Sequence, residues 1–253
     1  YPISREGVDC IPVQLIDARI NPHMIKADAG GKYVFVPNKG GDVVQQFIFR
    51  KRGILEPNNP DAITVRTGSG PRHFTINPGG SIMYLVNELS CTVIAFGFDK
   101  KTGTLSGPFQ EISTKPADYT QYNTCADIHI TPDNRFIYAS NRGHESIAAF
   151  KIDADNDSLT AIGHYGTVNS PREFDIDPAG TYLYAAGETS DNLAWYRINK
   201  TSGMLDSLGC LATGKTPSWV LVAGFMNGAA TVNDILPAAD PSGYNPKSIP
   251  NPF

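Results

Sequence analysis

Apolar residues in this chain come in short runs separated by clusters of Gly, Pro, Asn and Asp. Examples are YVFV from Tyr33, IMYLV from Ile82, FIYA from Phe136 and YLYAA from Tyr182. Short runs bounded by turn residues read as strands, because a helix needs a longer segment with a 3.6-residue apolar period. No stretch carries that period over a useful length. The runs also repeat as a larger unit. An alternating apolar stretch leads to a Pro/Gly/Asp turn and an aromatic-rich run, as in PHMIKADAGGKYVFVPNKG from Pro22, PRHFTINPGGSIMYLVNEL from Pro71, ADIHITPDNRFIYASNRG from Ala126 and PREFDIDPAGTYLYAAGET from Pro171. A fifth copy opens as PSWVLVAG at Pro217 and then blurs.

Successive copies are offset by 49, 54, 46 and 46 residues. Each continues with a third apolar run (TVIAFGF, SIAAFKI, NLAWYRI), a turn (DKKTGTL, DADNDSL, NKTSGML) and a weaker fourth run. Four strands in a unit of about 40–50 residues is the pattern of a propeller blade. The expected fold is therefore all-β, a β-propeller of four-stranded antiparallel blades forming one domain over residues 1–253. The Pro- and Asn-rich tail 236–253 is expected to be extended or poorly ordered. Tandem sandwiches would not explain why each unit is too small to close its own core.

The repeat also predicts a functional face. In the second copy, a first strand over Arg72–Asn77 turns at Pro78-Gly79-Gly80 and returns over Met83–Asn87. The start of the first strand and the end of the second then lie at one end of the blade, away from the tight turn. Carrying the offsets to these two positions gives His23, Arg72, Ala126, Arg172 and Ser218 at one, and Lys39, Glu88, Arg142 and Glu188 at the other. A ring of His23, Lys39, Arg72, Glu88, Arg142, Arg172 and Glu188 is thus expected around one mouth of the channel. Arginines hold phosphate or carboxylate through paired donors, and a carboxylate beside an imidazole can move protons. Asp127 and His129 share one strand face and either reach the channel or bond between blades. His73 is expected to alternate away from Arg72 into packing, His144 to be solvated and His164 to be structural.

Composition narrows the classes. A formal charge of −4 over 253 residues argues against a nucleic-acid surface or a polybasic membrane anchor, and no apolar run is long enough for a membrane helix. Gly 24 and Pro 19 exceed average usage, as a turn-dense fold requires. Cys10, Cys91, Cys125 and Cys210 form no CxxC pair and read as free thiols. His, Asp and Glu show no transition-metal ligand spacing, so no transition-metal site is expected, while calcium in the channel stays an open alternative.

The motifs GPRHFTINPGG, YLVNEL, CADIHITPDNRFIYASNR, SPREFDIDPAGTYLYAAGE and GKTPSWVLV resemble the bacterial 6-phosphogluconolactonase group of the seven-bladed propeller lactonases, with fungal carboxymuconate lactonizing enzymes as a related branch. The resemblance runs from about Pro22 to Val222. It implies hydrolysis of 6-phospho-glucono-1,5-lactone, with His23, Arg72, Glu88 and Arg142 at catalytic or substrate-holding positions; the offsets and strand faces add Lys39, Arg172, Glu188, Asp127 and His129 as further substrate contacts, and a lactone that is already reactive needs no cofactor. A small anionic sugar phosphate or carboxylate is the expected partner, and the cytoplasm the expected compartment, with secretion or a periplasmic location as alternatives. Three departures stand out. Pro22-His23-Met24-Ile25 keeps one histidine where the family usually has two. Glu173 replaces a small or amide residue. Seven blades at about 45 residues each need about 315 residues, so one and a half to two blades are expected to be missing before Tyr1, with Tyr1-Pro2-Ile3 and Val13–Ile16 as outer strands of an incomplete blade. The competing functions are a lactonizing cycloisomerase and a non-enzymatic propeller scaffold.

Overall fold

Each predicted unit folds as a sheet because its four runs are antiparallel neighbours joined by short turns. The computed structural model describes residues 1–224 other than 2 and 6. Blade 1 comprises Lys26–Ala27, Tyr33–Asn38, Val43–Phe49 and Leu55–Thr64. Blade 2 comprises Pro71–Ile76, Ile82–Asn87, Thr92–Asp99 and Thr104–Ser113. Blade 3 comprises Thr124–Ile130, Phe136–Arg142, Ser146–Ile152 and Leu159–Gly166. Blade 4 comprises Pro171–Ile176, Tyr182–Gly187, Asn192–Ile198 and Leu205–Ala212. Strands pair in chain order within every blade. The first strand of blade 3 neighbours those of blades 2 and 4, so these strands face a common axis. A 3₁₀ turn at Lys51–Gly53 is the helical element among the described residues.

The second strands show why the apolar runs are continuous. Side chains alternate between sheet faces, yet both faces of an interior blade meet a neighbour. In Ile82–Asn87, Met83 and Leu85 pack with Phe35 and Val44 of blade 1, while Tyr84 and Val86 pack with Ile137 and Ala148 of blade 3. In Phe136–Arg142, Ile137 and Ala139 join that second wedge, and Phe136 and Tyr138 join the wedge formed with blade 4. The core is therefore a set of wedges between blades. Hydrogen bonds cross the same wedges: Tyr84 Oη donates to Asp157 O (2.8 Å), and Tyr138 Oη to Gly203 O (2.9 Å).

Two outer expectations differ. Val13–Ile16 forms no strand; instead, the Gln14 side-chain amide donates to Leu55 O (3.0 Å) and accepts from Leu55 N (2.9 Å), filling the place of a backbone partner. At the chain start, Ile3–Ser4 pairs with Gly7–Val8 in a small hairpin and with no other strand among the described residues. The segment from Pro217 to Val222 has no ladder partner among the described residues, although Val222 N donates to Asp175 Oδ2 of blade 4 (2.8 Å). The tail 236–253 lies outside the described residues.

Candidate functional site

The first two strands of a blade join at a side-chain-capped turn. In blade 2, Asn77 Oδ1 accepts from Ser81 N (2.8 Å) and Ile82 N (3.1 Å), with Gly80 at φ 64. The other end of that hairpin holds Arg72 and Glu88. Pairing there shifts by one residue: Pro71 opposes Asn87, but His73 opposes Val86. The same extra residue occurs between Cys125 and Ile128 in blade 3, between Pro171 and Glu173 in blade 4, and between the Pro22–Asn38 bridge and the Lys26–Phe35 pair in blade 1. Such a bulge breaks strict alternation and turns consecutive side chains toward one side. This overturns the expectation that His73 points away from Arg72: Arg72 Nη1 lies 3.4 Å from His73 Nε2.

Glu88 sits at the centre of the mouth, 8% exposed. Its carboxylate lies 3.1 Å from Lys39 Nζ, 2.9 Å from Arg72 Nε and 3.4 Å from Arg142 Nη2. Blades 1, 2 and 3 thus each send a cation to one acid. Arg72 is 1% exposed, with Nη1 donating to the carbonyl of Ala126, the small residue at the equivalent position of blade 3. Arg142 Nη2 donates to Cys125 O (3.0 Å). Arg72 Nε lies off the hydrogen-bond axis of Glu88 despite its proximity, and Arg142 Nε and His23 Nδ1 also lack partners. The cluster therefore has positive charge and donor capacity in excess of its one carboxylate. Blade 4 repeats the motif more openly: Arg172 Nη1 lies 3.6 Å from Glu188 Oε1. His23 packs edge-to-face on His73, with ring centroids 5.1 Å apart.

Behind this layer lies a second one that the offsets also connect, since His73, Asp127 and Glu173 occupy equivalent positions of blades 2, 3 and 4. His73 Nδ1 is 2.8 Å from Asp127 Oδ1, and His129 Nε2 is 2.8 Å from Asp127 Oδ2. His129 Nδ1 faces Asp175 Oδ1 at 3.5 Å. Asp127 and His129 are thus in the channel wall and bond between blades. His144 is half-buried rather than fully solvated: its ring packs on Tyr119 and His164, and Nδ1 meets Ser146 Oγ at 2.7 Å. His164 Nε2 bonds Thr114 O (2.9 Å), a structural role.

Charge states follow from these contacts. Burial would raise Glu88, but the Lys39 hydrogen bond and the charges of Arg142 and Arg72 outweigh it and hold the carboxyl below its usual range. Burial, with Arg72 and His73, lowers His23 to about 4, so its ring is neutral near pH 7. Burial and Arg142 lower Arg72 to about 10, leaving it charged. Burial opposes ionisation of Asp127, yet His129 and His73 hold it well below the carboxylate range. An ionised Asp127 makes His73 Nδ1 a donor, which leaves Nε2 to accept from Arg72. Burial and then Asp127 push Glu173 up to about 9.

Contrary to the expectation of no clustered ligands, donor atoms of His73, Asp127 and Glu173 lie within 4.8 Å of one another, a spacing compatible with a cation. The positive charges of Arg72 and Arg172 stand close to this group, and burial beside Asp127 favours the protonated form of Glu173. The offsets could have revealed His73 and Glu173, had they been carried one residue further along each strand.

Residues 16–222 match the family described as Lactonase, 7-bladed beta-propeller. The chain belongs to the seven-bladed β-propeller lactonase family. It is 34% identical over 171 residues to a 6-phosphogluconolactonase of Serratia proteamaculans, covering 68% of this chain and 51% of the relative. It is 38% identical over 170 residues to a 6-phosphogluconolactonase of Photorhabdus laumondii, covering 67% and 51%. The chain thus spans about half the length of these curated relatives. Among solved structures, a Lactobacillus plantarum protein superposes with a TM-score of 0.79 at 28% identity, covering 86% of this chain and 65% of that one. The periplasmic gluconolactonase of Pseudomonas aeruginosa superposes with a TM-score of 0.72 at 27% identity, covering 78% and 55%.

Proposed function

We propose that the mouth of this lactonase-family propeller binds the lactone of a sugar acid, with 6-phospho-glucono-1,5-lactone as substrate, and opens the ring by adding water. The observation that carries this reading is the convergence of Lys39, Arg72 and Arg142 on the single carboxylate of Glu88 with guanidinium donors left over. Such a cluster takes up an anion without a metal to hold it, and the name shared by the curated relatives supplies the substrate class.

Lys39 and Arg142 are the more accessible cations and hold the phosphate, with Arg172 beside them. Arg72, locked in the wall, keeps its charge aimed at the carbonyl oxygen, where negative charge develops as water adds. The Glu88 carboxylate orients that water and takes its proton. In the free protein, Glu88 is a weak base because its cations hold it down. An anionic substrate neutralises those cations, so binding itself raises the proton affinity of Glu88. Neutral His23, whose Nδ1 is buried, stands against His73 beside these groups and helps position the water through its ring. With a sugar phosphate as substrate, the cytoplasm is the compartment this reading favours.

Steady-state kinetics on the intact protein, corrected for spontaneous hydrolysis and normalised to folded protein, test this mechanism. Glu88→Gln is expected to lower kcat by about 10²–10⁴-fold. Arg142→Ala is expected to act mainly on KM for the phosphorylated lactone, and much less for the unphosphorylated one. Wild-type turnover in Glu88→Gln on both lactones would remove Glu88 from the chemistry.

A further inference from the structure

Glu173 and Asp127 are, among the described residues, the buried carboxyls of the channel wall that the proposed reaction leaves unused. A bulge falls at Arg172 in the inner strand of blade 4, and Glu173 next to it feels the charges of both Arg72 and Arg172. Glu173 is 5% exposed and Asp127 is 2% exposed, and both lie with His73 in the same tight group. Both Asp127 oxygens are already engaged, one by His73 and the other by His129 at 2.8 Å each, and Oδ2 also accepts from Phe174 N at 3.3 Å. Two ionised carboxyls at such a distance in a dry wall repel each other, so one must keep its proton. The histidine contacts hold Asp127 as the anion, which leaves the proton on Glu173. His129, pulled toward its charged form by Asp127 and Asp175 against the effect of burial, stands behind the pair as a second proton store. The charged groups facing Glu173 from the neighbouring elements are Asp127 of blade 3, Arg72 of blade 2 and Arg172 of its own strand.

We propose that Glu173 and Asp127 share one proton, and that Glu173 delivers it to the ring oxygen that departs when the lactone opens. The delivery step rests on the lactonase reading above; the shared proton does not. Water bonds to the carbonyl carbon and yields a proton to Glu88. The bond from that carbon to the ring oxygen then breaks with its electron pair on oxygen, and the Glu173 proton completes the new hydroxyl. Glu173, now a carboxylate beside ionised Asp127, regains a proton from solvent, directly or through His129 and Asp127, while Glu88 gives its proton up to solvent and the new carboxylic acid ionises. One water is consumed, and the product leaves as a carboxylate with one net proton released. Burial beside an anion suits the acid to this task, because it stays protonated at neutral pH, up to about 9.

Two measurements on the intact protein separate the parts. Difference infrared spectroscopy at neutral pH reads a buried protonated carboxyl. The band should vanish in Glu173→Gln and shift in Asp127→Asn; its absence from the unsubstituted protein overturns the shared proton. Kinetics then compare glucono-1,5-lactone, phosphorylated or not, with dihydrocoumarin, a δ-lactone whose phenolic leaving oxygen needs little protonation. Glu173→Gln, which keeps the shape of the neutral acid, should lose about 10²-fold on the sugar lactone but less than about 3-fold on dihydrocoumarin. Equal losses on both substrates mean a structural role, and no loss on either means no role; each overturns the delivery step. If the unsubstituted protein opens neither lactone, the proposed function fails and delivery fails with it, while the infrared result still decides the shared proton.

Discussion

Arg72 keeps its charge inside the protein wall, so removing its counter-charge has a cost separate from any effect on catalysis. Glu88→Gln leaves a buried guanidinium without its nearest carboxylate and is expected to destabilise the fold by about 3 kcal/mol. Lys39→Met, at the more exposed corner of the same cluster, is expected to cost less than about 1 kcal/mol. Urea unfolding of the two variants checks the contrast. Titration supplies a second prediction at this scale. Glu173 holds its proton in the fold up to about 9, whereas an unfolded glutamic acid releases it near 4.3. Between those values the native state binds the extra proton, so this group's contribution is present below the lower pH and is lost as pH rises toward the upper one. His23 acts in the opposite sense: lowered to about 4, it contributes stability above about 6.5 that is lost as pH falls toward 4. Stability measured against pH should show the alkaline decline in the parent protein and a flatter profile in Glu173→Gln.

At the level of the element, tight turns and bulges set which side chains meet. Gly103 closes the turn between the third and fourth strands of blade 2 at φ 75, where a Cβ would stand 2.0 Å from the ring of Tyr33 in blade 1. Gly103→Ala combines backbone strain with an unavoidable clash and is expected to cost about 3 kcal/mol, readable as a lowered urea midpoint at unchanged slope. In the equivalent turn of blade 4, a Cβ at Gly203 would stand 2.4 Å from the ring of Phe136 in blade 3. Strand positions were legible in the sequence because both faces of each blade are buried, and the second blade's first two strands lie within a residue of their predicted bounds. The side on which His73 lies was not legible. One extra residue in the first strand reverses the alternation, and nothing in PRHFTI marks where that residue sits.

Across the whole molecule, cohesion comes from the wedges between blades, and single polar bonds span them. Tyr138→Phe removes the donor to Gly203 O between blades 3 and 4 while keeping the ring packed. It is expected to cost about 1 kcal/mol. Faster amide exchange confined to the blade 4 turn around Gly203 would show that the bond acts between blades; uniform acceleration throughout would refute that local role. Arg72 and Glu88 at the mouth depend on the same assembly, since the groups around them come from blades 1, 2 and 3.

The repeat offsets by themselves pointed to the four-stranded blade and to the positions at one end of it, whereas the family rested on the resemblance of the motifs. The first two follow from spacing along the chain, which burial on both sheet faces and closely similar turns keep in register. Tertiary structure alone decided how charge is distributed. Blades 1 to 3 set three cations on Glu88, and the bulges bring Asp127, Glu173 and His73 together behind it. Whether a carboxyl is a base, an anchor or an acid depends on burial and on neighbours contributed by other blades. A linear sequence places those neighbours dozens of residues apart, and only the closed wedges bring them within reach of one another.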